Sequence, residues 1–123
     1  MLHIYSYKVM LDFDLAKIYG YTTKAFNQQV INNSERFASD FTFKLTKEEV
    51  ANLRSKKLTS SWGGSRYLPN AFTEQGIYML MTILKGDLAV KQSIDLVRTF
   101  KKMKDYILEN SDCTLGGFFY KSY

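Results

Sequence analysis

A single cysteine, Cys113, in 123 residues leaves no internal disulfide to form and points to a reducing compartment. A single histidine, His3, stands beside no second ligand, so no metal-ligand spacing can be read and His3 is expected to be a partly exposed strand residue. No apolar run approaches the roughly 20 residues that cross a bilayer, and the N-terminus alternates with polar residues where a secretory leader has an apolar core. There is no internal repeat, no low-complexity tract and no glycine-rich phosphate loop between a strand and a helix. The carboxylates are scattered, and Glu48 and Glu49 read as partners of a helix N-terminus rather than an acid/base pair. These absences point to a cytoplasmic protein that is not an enzyme, with no catalytic residues, cofactor or metal and no membrane partner.

What remains is ordinary globular material with a basic balance. Hydrophobic residues make up 46% and charged residues 24%, which argues against disorder, and the length suits one domain with a core of its own. Lys and Arg outnumber Asp and Glu by 17 to 12, a net charge of +5 that favours a polyanionic partner.

The most informative stretch runs from Asp12 to Val30, DFDLAKIYGYTTKAFNQQV. Asp12 is expected to cap a first helix whose Leu15, Ile18 and Tyr19 recur on one side, with Ala16 small enough for close helix approach. Gly20 stops it, supplying positive φ, and Tyr21 folds back on its end. Thr22 or Thr23 caps a second helix, Lys24 to about Asn33, with Phe26 and Val30 on its buried side. Lys24, Asn27, Gln28 and Ile31 are then expected together on the opposite face. A small residue in the first helix, a glycine turn and a second helix with base-reading side chains make a helix-turn-helix. Asn and Gln can pair bidentately with adenine, and Lys can reach guanine or phosphate.

Around it, residues 2–11 read as one or two short strands. Phe37, Phe41, Phe43 and Leu45 recur with strand periodicity, strongest over Phe41 to Leu45, and Arg36 is placed to pair with Asp40 across the turn. Thr46 and Glu49 form a capping box opening a helix with Val50 and Leu53 on its inner side. Arg54, Lys56 and Lys57 then lead into LTSSWGGS, a hairpin tip, and Arg66 to Pro69 reads as extended. If this loop lies beside the helix-turn-helix it is wing-like, with Lys56, Lys57, Ser60, Ser61 and Arg66 as phosphate contacts. Trp62 either anchors the loop on the domain or packs on sugar and backbone. Thr73 caps a helix through Ile77, Leu80, Met81 and Leu84, closed by Lys85-Gly86, and Asp87 caps another over Leu88 to Glu109. The last helix carries two stripes: Val90, Ile94 and Val97, for the preceding helix, and Leu96, Phe100, Met103 and Ile107, for the domain body or a partner chain. Arg98, Lys101, Lys102 and Lys104 form a basic run on it. The tail SDCTLGGFFYKSY loses periodicity and is expected to be loosely ordered.

Three blocks in order, VMLDFDLAKIYGY, NNSERFASDFTFKLTKEE and SSWGGSRYLPNAFTEQGIYMLMTILKGDLA, resemble the ORF-six N-terminal domain, a phage-associated family related to the KilA-N and Bro-N modules. The resemblance covers roughly Val9 to Ile107. Its motif positions fall on Asp14, Leu15, Ala16, Tyr19 and Gly20; on Glu35, Arg36, Phe37, Asp40 and Phe41; and on Leu68, Pro69, Phe72, Thr73, Glu74, Gln75 and Gly76. The chain departs from the family at Asn32-Asn33, where arginine and asparagine are usual, and at Ala38, where proline is usual.

The resemblance implies a double-stranded DNA-binding regulatory protein of phage, prophage or mobile-element type, in the bacterial nucleoid or a phage-infected cell. The expected fold is α+β, a mainly helical domain with a helix-turn-helix, short strands or a wing-like hairpin, and a long C-terminal helix. Residues 1–109 would form the DNA-binding domain and 110–123 a tail or truncated linker. The expected DNA contacts are Thr22, Thr23, Lys24, Asn27, Gln28, Ile31, Lys56, Lys57 and Arg66. The alternative is an anti-repressor module that binds a repressor protein, with only non-specific DNA affinity. A homodimer through the C-terminal helix is a further expected partnership.

Overall fold

Alternation at Val9, Met10 and Leu11 makes a strand with two buried sides, and the fold is built on both. A computed structural model describes residues 2–4, 7–56, 67–109, 113–115 and 118–120, with side chains over 8–52 and 67–106. Strands β1 (Leu2–Ile4), β2 (Tyr7–Leu11), β3 (Thr42–Lys44) and β4 (Asn70–Thr73) form an antiparallel sheet in the order β1-β2-β4-β3. The register pairs Met10 with Phe72 and Leu11 with Ala71 on one side of β4, and Thr42 with Phe72 and Phe43 with Ala71 on the other. Because successive side chains point to opposite faces, this register sorts the core into two halves.

Val9, Leu11 and Ala71 pack with Leu45 and with Val50 of helix α3 (Lys47–Lys56). Phe72 packs on the other side with helices α1 (Asp12–Ile18), α2 (Thr23–Asn32), α4 (Glu74–Leu80) and α5 (Asp87–Glu109). The architecture is therefore α+β, with short strands between helices and a long C-terminal helix. Edge-to-face aromatic contacts run from Tyr21 to Phe26 at 6.4 Å, Phe26 to Phe72 at 5.7 Å and Phe37 to Phe72 at 6.2 Å, which joins α2 to the sheet.

Several local expectations hold. Thr46 and Glu49 form the reciprocal capping box, Thr46 N–H donating to Glu49 Oε1 at 2.8 Å and Glu49 N–H to Thr46 Oγ1 at 3.2 Å. Thr73 caps α4 by accepting from Gly76 N–H at 3.2 Å, and its hydroxyl donates to the Asp40 carbonyl at 2.9 Å. Gly76 lies so close to the neighbouring backbone that a Cβ there would stand 2.0 Å from the Phe41 carbonyl oxygen. Only glycine fits.

Other expectations are corrected. Asp12 does not cap α1: Leu11 holds the cap position without a side-chain bond, and Asp12 is the buried first helical residue. Helix α4 stops at Leu80, and Met81 to Ile83 turn so that Ile83 and Leu84 still reach the core. Gly86 accordingly precedes α5, its carbonyl accepting from Val90 N–H at 3.1 Å, and Asp87 is helical. Phe37 follows a 3-10 turn (Ser34–Arg36) and packs on the helical half of the core, away from Phe43 and Leu45. Arg36 donates to Thr82 Oγ1 at 3.3 Å rather than pairing with Asp40.

Strand β4 is central, although the sequence pattern marks only 66–69 as extended; its pairing partners lie some 30 and 60 positions away in the chain, out of reach of any local window. On α5, Leu96, Phe100 and Met103 are buried in the domain body, which removes them as a dimer seam, whereas Val90, Ile94 and Val97 remain 45–60% exposed instead of packing on α4. The tail contains an antiparallel pair, β5 (Cys113–Leu115) with β6 (Phe118–Tyr120), rather than a structureless end.

Candidate nucleic-acid interface

Helix α1 ends as its glycine dictates. Gly20 has φ +74°, Tyr21 N–H donates to the Ala16 carbonyl at 2.8 Å and Gly20 N–H to the Lys17 carbonyl at 3.2 Å, the two bonds of a Schellman closure. Four residues, 19–22, separate the two helices, and Thr22 caps α2, its Oγ1 accepting from Ala25 N–H at 3.1 Å. That leaves the Thr22 hydroxyl hydrogen available to an external acceptor. Helix α5 fixes the end of α1 from behind: Gln92 Nε2 donates to the Ile18 carbonyl at 2.9 Å, and the Tyr19 hydroxyl lies 2.8 Å from Ser93 Oγ. Burial raises the Tyr19 phenol above its ordinary pKa, the Ser93 bond working against that shift.

Helix α2 is held by Phe26 and Val30, both buried, and its far side is open. Lys24 and Gln28 are exposed and Ile31 is 63% exposed, so these three share a solvent face as expected. Gln28 Nε2 donates to Asn32 Oδ1 at 2.9 Å along that face. Thr22 is exposed and Thr23 half-buried at the helix start.

Asn27 is a correction. It is half-buried and turned away from Lys24, Gln28 and Ile31, with Nδ2 donating to Asp12 Oδ2 at 2.9 Å and Oδ1 accepting from Asn70 Nδ2 at 3.2 Å. Asp12 is the centre of this cluster and has no exposed surface. It accepts from Phe13 N–H at 2.7 Å, from Asn70 N–H at 3.1 Å and from the Tyr67 hydroxyl at 2.5 Å besides Asn27. A carboxylate has about four acceptor sites, so this buried group is fully matched by donors. Burial, then the bond to Asp12 and the Asp12 charge, push the Tyr67 phenol far above its usual range.

The cluster joins the start of α1, the middle of α2 and the segment entering β4. Sequence reading missed Tyr67 and Asn70 altogether. The available signal was an aspartate between the apolar Leu11 and Phe13, at the junction of a strand and a helix.

The proposed wing, including Lys57, Ser60, Ser61, Trp62 and Arg66, lies outside the described residues, as does the Lys56 side chain at the end of α3. On α5, Lys101 pairs with Asp105 at 3.0 Å and Lys104 with Glu74 at 2.6 Å, so two members of the basic run are engaged within the fold. Among the described residues, no helix is long and apolar enough to cross a membrane.

No curated protein and no solved structure matches the chain. The ORF6N domain family model matches residues 1–83, a span that runs from β1 through α4 and leaves α5 outside it. Within that span lie the Schellman turn at Gly20, the Arg36-Phe37 segment against Phe72 and the Thr73 cap with its close-packed Gly76, and on this match the chain belongs to the ORF6N domain family.

Proposed function

We propose that this chain is a double-stranded DNA-binding regulatory protein of phage, prophage or mobile-element type, with α1 and α2 acting as a helix-turn-helix. The observation that carries the reading is the two-sided character of α2 in an ORF6N chain: apolar anchors at Phe26 and Val30 inward, and Lys24, Gln28 and Ile31 outward. In this reading those three enter the major groove, Gln28 reading a base edge, Lys24 reaching guanine or phosphate and Ile31 making apolar contact. Thr22 and Thr23 bond phosphate at the helix start, where unpaired N–H groups favour anions. Lys56, Lys57 and Arg66 contact backbone. Asn27 is assigned to the Asp12 cluster and not to base reading. The role is binding without catalysis.

The test is retention of a randomised duplex pool by the purified protein at two salt concentrations, followed by sequencing. An enriched motif supports specific readout. Lys24→Ala with Gln28→Ala is expected to flatten that motif more than it lowers total retention, whereas Lys56→Ala with Lys57→Ala weakens all sequences alike. Equal losses on specific and random duplex in both variants, or retention with no motif, count against the assignment.

A second reading, a module that binds a repressor or its own copy, is favoured by one observation: Val90, Ile94 and Val97 form an exposed apolar stripe on α5, outside the family match. A sedimentation shift abolished by Ile94→Glu, with the fold intact, supports it.

A further inference from the structure

A cleft of about 430 Å³ opens beside the C-terminal end of α2, lined by Tyr21, Gln29, Asn33, Arg36, Thr82 and Lys85 together with the buried Ile83. Its size falls in the range of about 300–1,000 Å³ usual for small-molecule sites. Two cations and no carboxylate line it. Among the described residues neither Arg36 nor Lys85 is in an ion pair, and the Arg36 guanidinium has a bond only to the neutral Thr82 hydroxyl, at 3.3 Å. A guanidinium carries five N–H donors, so most of its capacity is open to a ligand.

The end of a helix presents carbonyls that repel anions, and Asn33 covers two of those at the end of α2. Asn33 Nδ2 donates to the Gln29 carbonyl at 2.8 Å, and Asn33 N–H to the Val30 carbonyl at 3.1 Å. That leaves Asn33 Oδ1 and the Gln29 amide as polar groups free to select what accompanies the anion. Tyr21, half-buried and braced edge-on by Phe26, supplies an aromatic wall.

At 100° per residue, Gln29 and Asn33 lie roughly 130–170° around α2 from the centre of the Lys24, Gln28 and Ile31 face. The cleft therefore opens away from the face assigned to DNA. We propose that it binds a small phosphate-bearing ligand of the nucleotide class. Arg36 and Lys85 hold the phosphate, and Tyr21, Gln29 and Asn33 contact the base or sugar.

The experiment titrates the full chain, without DNA, with inorganic phosphate, AMP, ADP and adenosine, read by calorimetry and by chemical-shift changes at Gln29, Asn33 and Arg36. Saturable binding of AMP or ADP tighter than inorganic phosphate, with shifts confined to the cleft, is expected. Arg36→Ala with Lys85→Ala is expected to weaken it by at least about tenfold, the loss typical of a charge-assisted contact. Both side chains are exposed, so the variant is expected to fold, which far-UV circular dichroism checks.

No saturable binding at millimolar probe, or affinity unchanged in the double variant, overturns the proposal. Loss of duplex binding in that variant without any nucleotide binding also overturns it and gives the two cations to the DNA backbone instead. Because the titration omits DNA, its result is independent of whether α2 reads sequence.

Discussion

Asp12 is a buried carboxylate matched by donors from Asn27, Tyr67, Asn70 and its own helix, with no cation among them. Removing it strands several buried donors at once, and each unpaired buried group costs about 1–3 kcal/mol. Asp12→Ala is therefore expected to lower the unfolding free energy by about 3 kcal/mol or more in a denaturant titration. The neighbours on α2 separate the same way: Asn27→Ala should cost about 1–3 kcal/mol, whereas exposed Gln28→Ala should stay within about 0.5 kcal/mol. Equal stability of those two variants would remove the distinction drawn between a bracing and a reading residue. Glycine gives a second contrast. Gly76→Ala drives a Cβ to 2.0 Å from the Phe41 carbonyl, a backbone atom that cannot rotate aside, and should cost about 3 kcal/mol or more. Gly20→Ala suffers mainly its positive φ, at about 1–2 kcal/mol. Of these positions, Gly20 was legible as a helix stop because its neighbours in sequence are its neighbours in space. Asn27 was not, because the partners that turn it inward, Asp12 and Asn70, lie 15 and 43 residues away.

Helices α4 and α5 are joined by a polar clamp over an aromatic contact. Lys104 Nζ donates to Glu74 Oε2 at 2.6 Å, the Tyr78 hydroxyl donates to the same oxygen at 2.7 Å, and the Tyr78 ring meets Phe100 edge-on at 5.8 Å. Burial raises the Glu74 carboxyl, but the bonds from Lys104 and Tyr78 outweigh it and leave its pKa below the ordinary 4.5. Burial, with the Glu74 bond and charge, raises Tyr78 to about 12 from 10.0. The signs follow by linkage. A lowered carboxyl contributes stability that is complete above about pH 4.5 and is lost as pH falls through its lower folded value. A raised phenol contributes stability that is complete below pH 10 and is lost as pH rises toward 12. Unfolding midpoints measured across pH are expected to decline at both ends, with Glu74→Gln flattening the acid limb and Tyr78→Phe the alkaline one. A parallel acid limb in Glu74→Gln would refute the clamp. The capping box on α3 belongs to the same scale: Thr46→Ala should cost about 1 kcal/mol, the usual value of a lost helix cap.

For the whole molecule, the net charge of +5 and the basic contacts assigned to DNA give a salt dependence that can be measured. Neutralising about five phosphates corresponds to a slope near −4.5 for log affinity against log salt, and a slope near zero would exclude an electrostatic duplex surface. Sequence alone determined the features whose cause is local: the Gly20 turn, a threonine cap on α2 that the structure assigns to Thr22 rather than Thr23, the Thr73 cap, the Thr46–Glu49 box and the stripe of Phe26 and Val30. Each depends on residues within a helical turn or two, where spacing in the chain is spacing in space. Tertiary structure decided what depends on distant partners. It placed the four-residue strand Asn70–Thr73 at the centre of the sheet, stopped α4 at Leu80, buried Leu96, Phe100 and Met103 while leaving Val90, Ile94 and Val97 outside, and gathered Asp12, Asn27, Tyr67 and Asn70. An amphipathic pattern tells which sides of a helix are apolar but not which of two apolar sides the rest of the chain covers, and a polar side chain shows no sign in sequence of the buried group that will claim it.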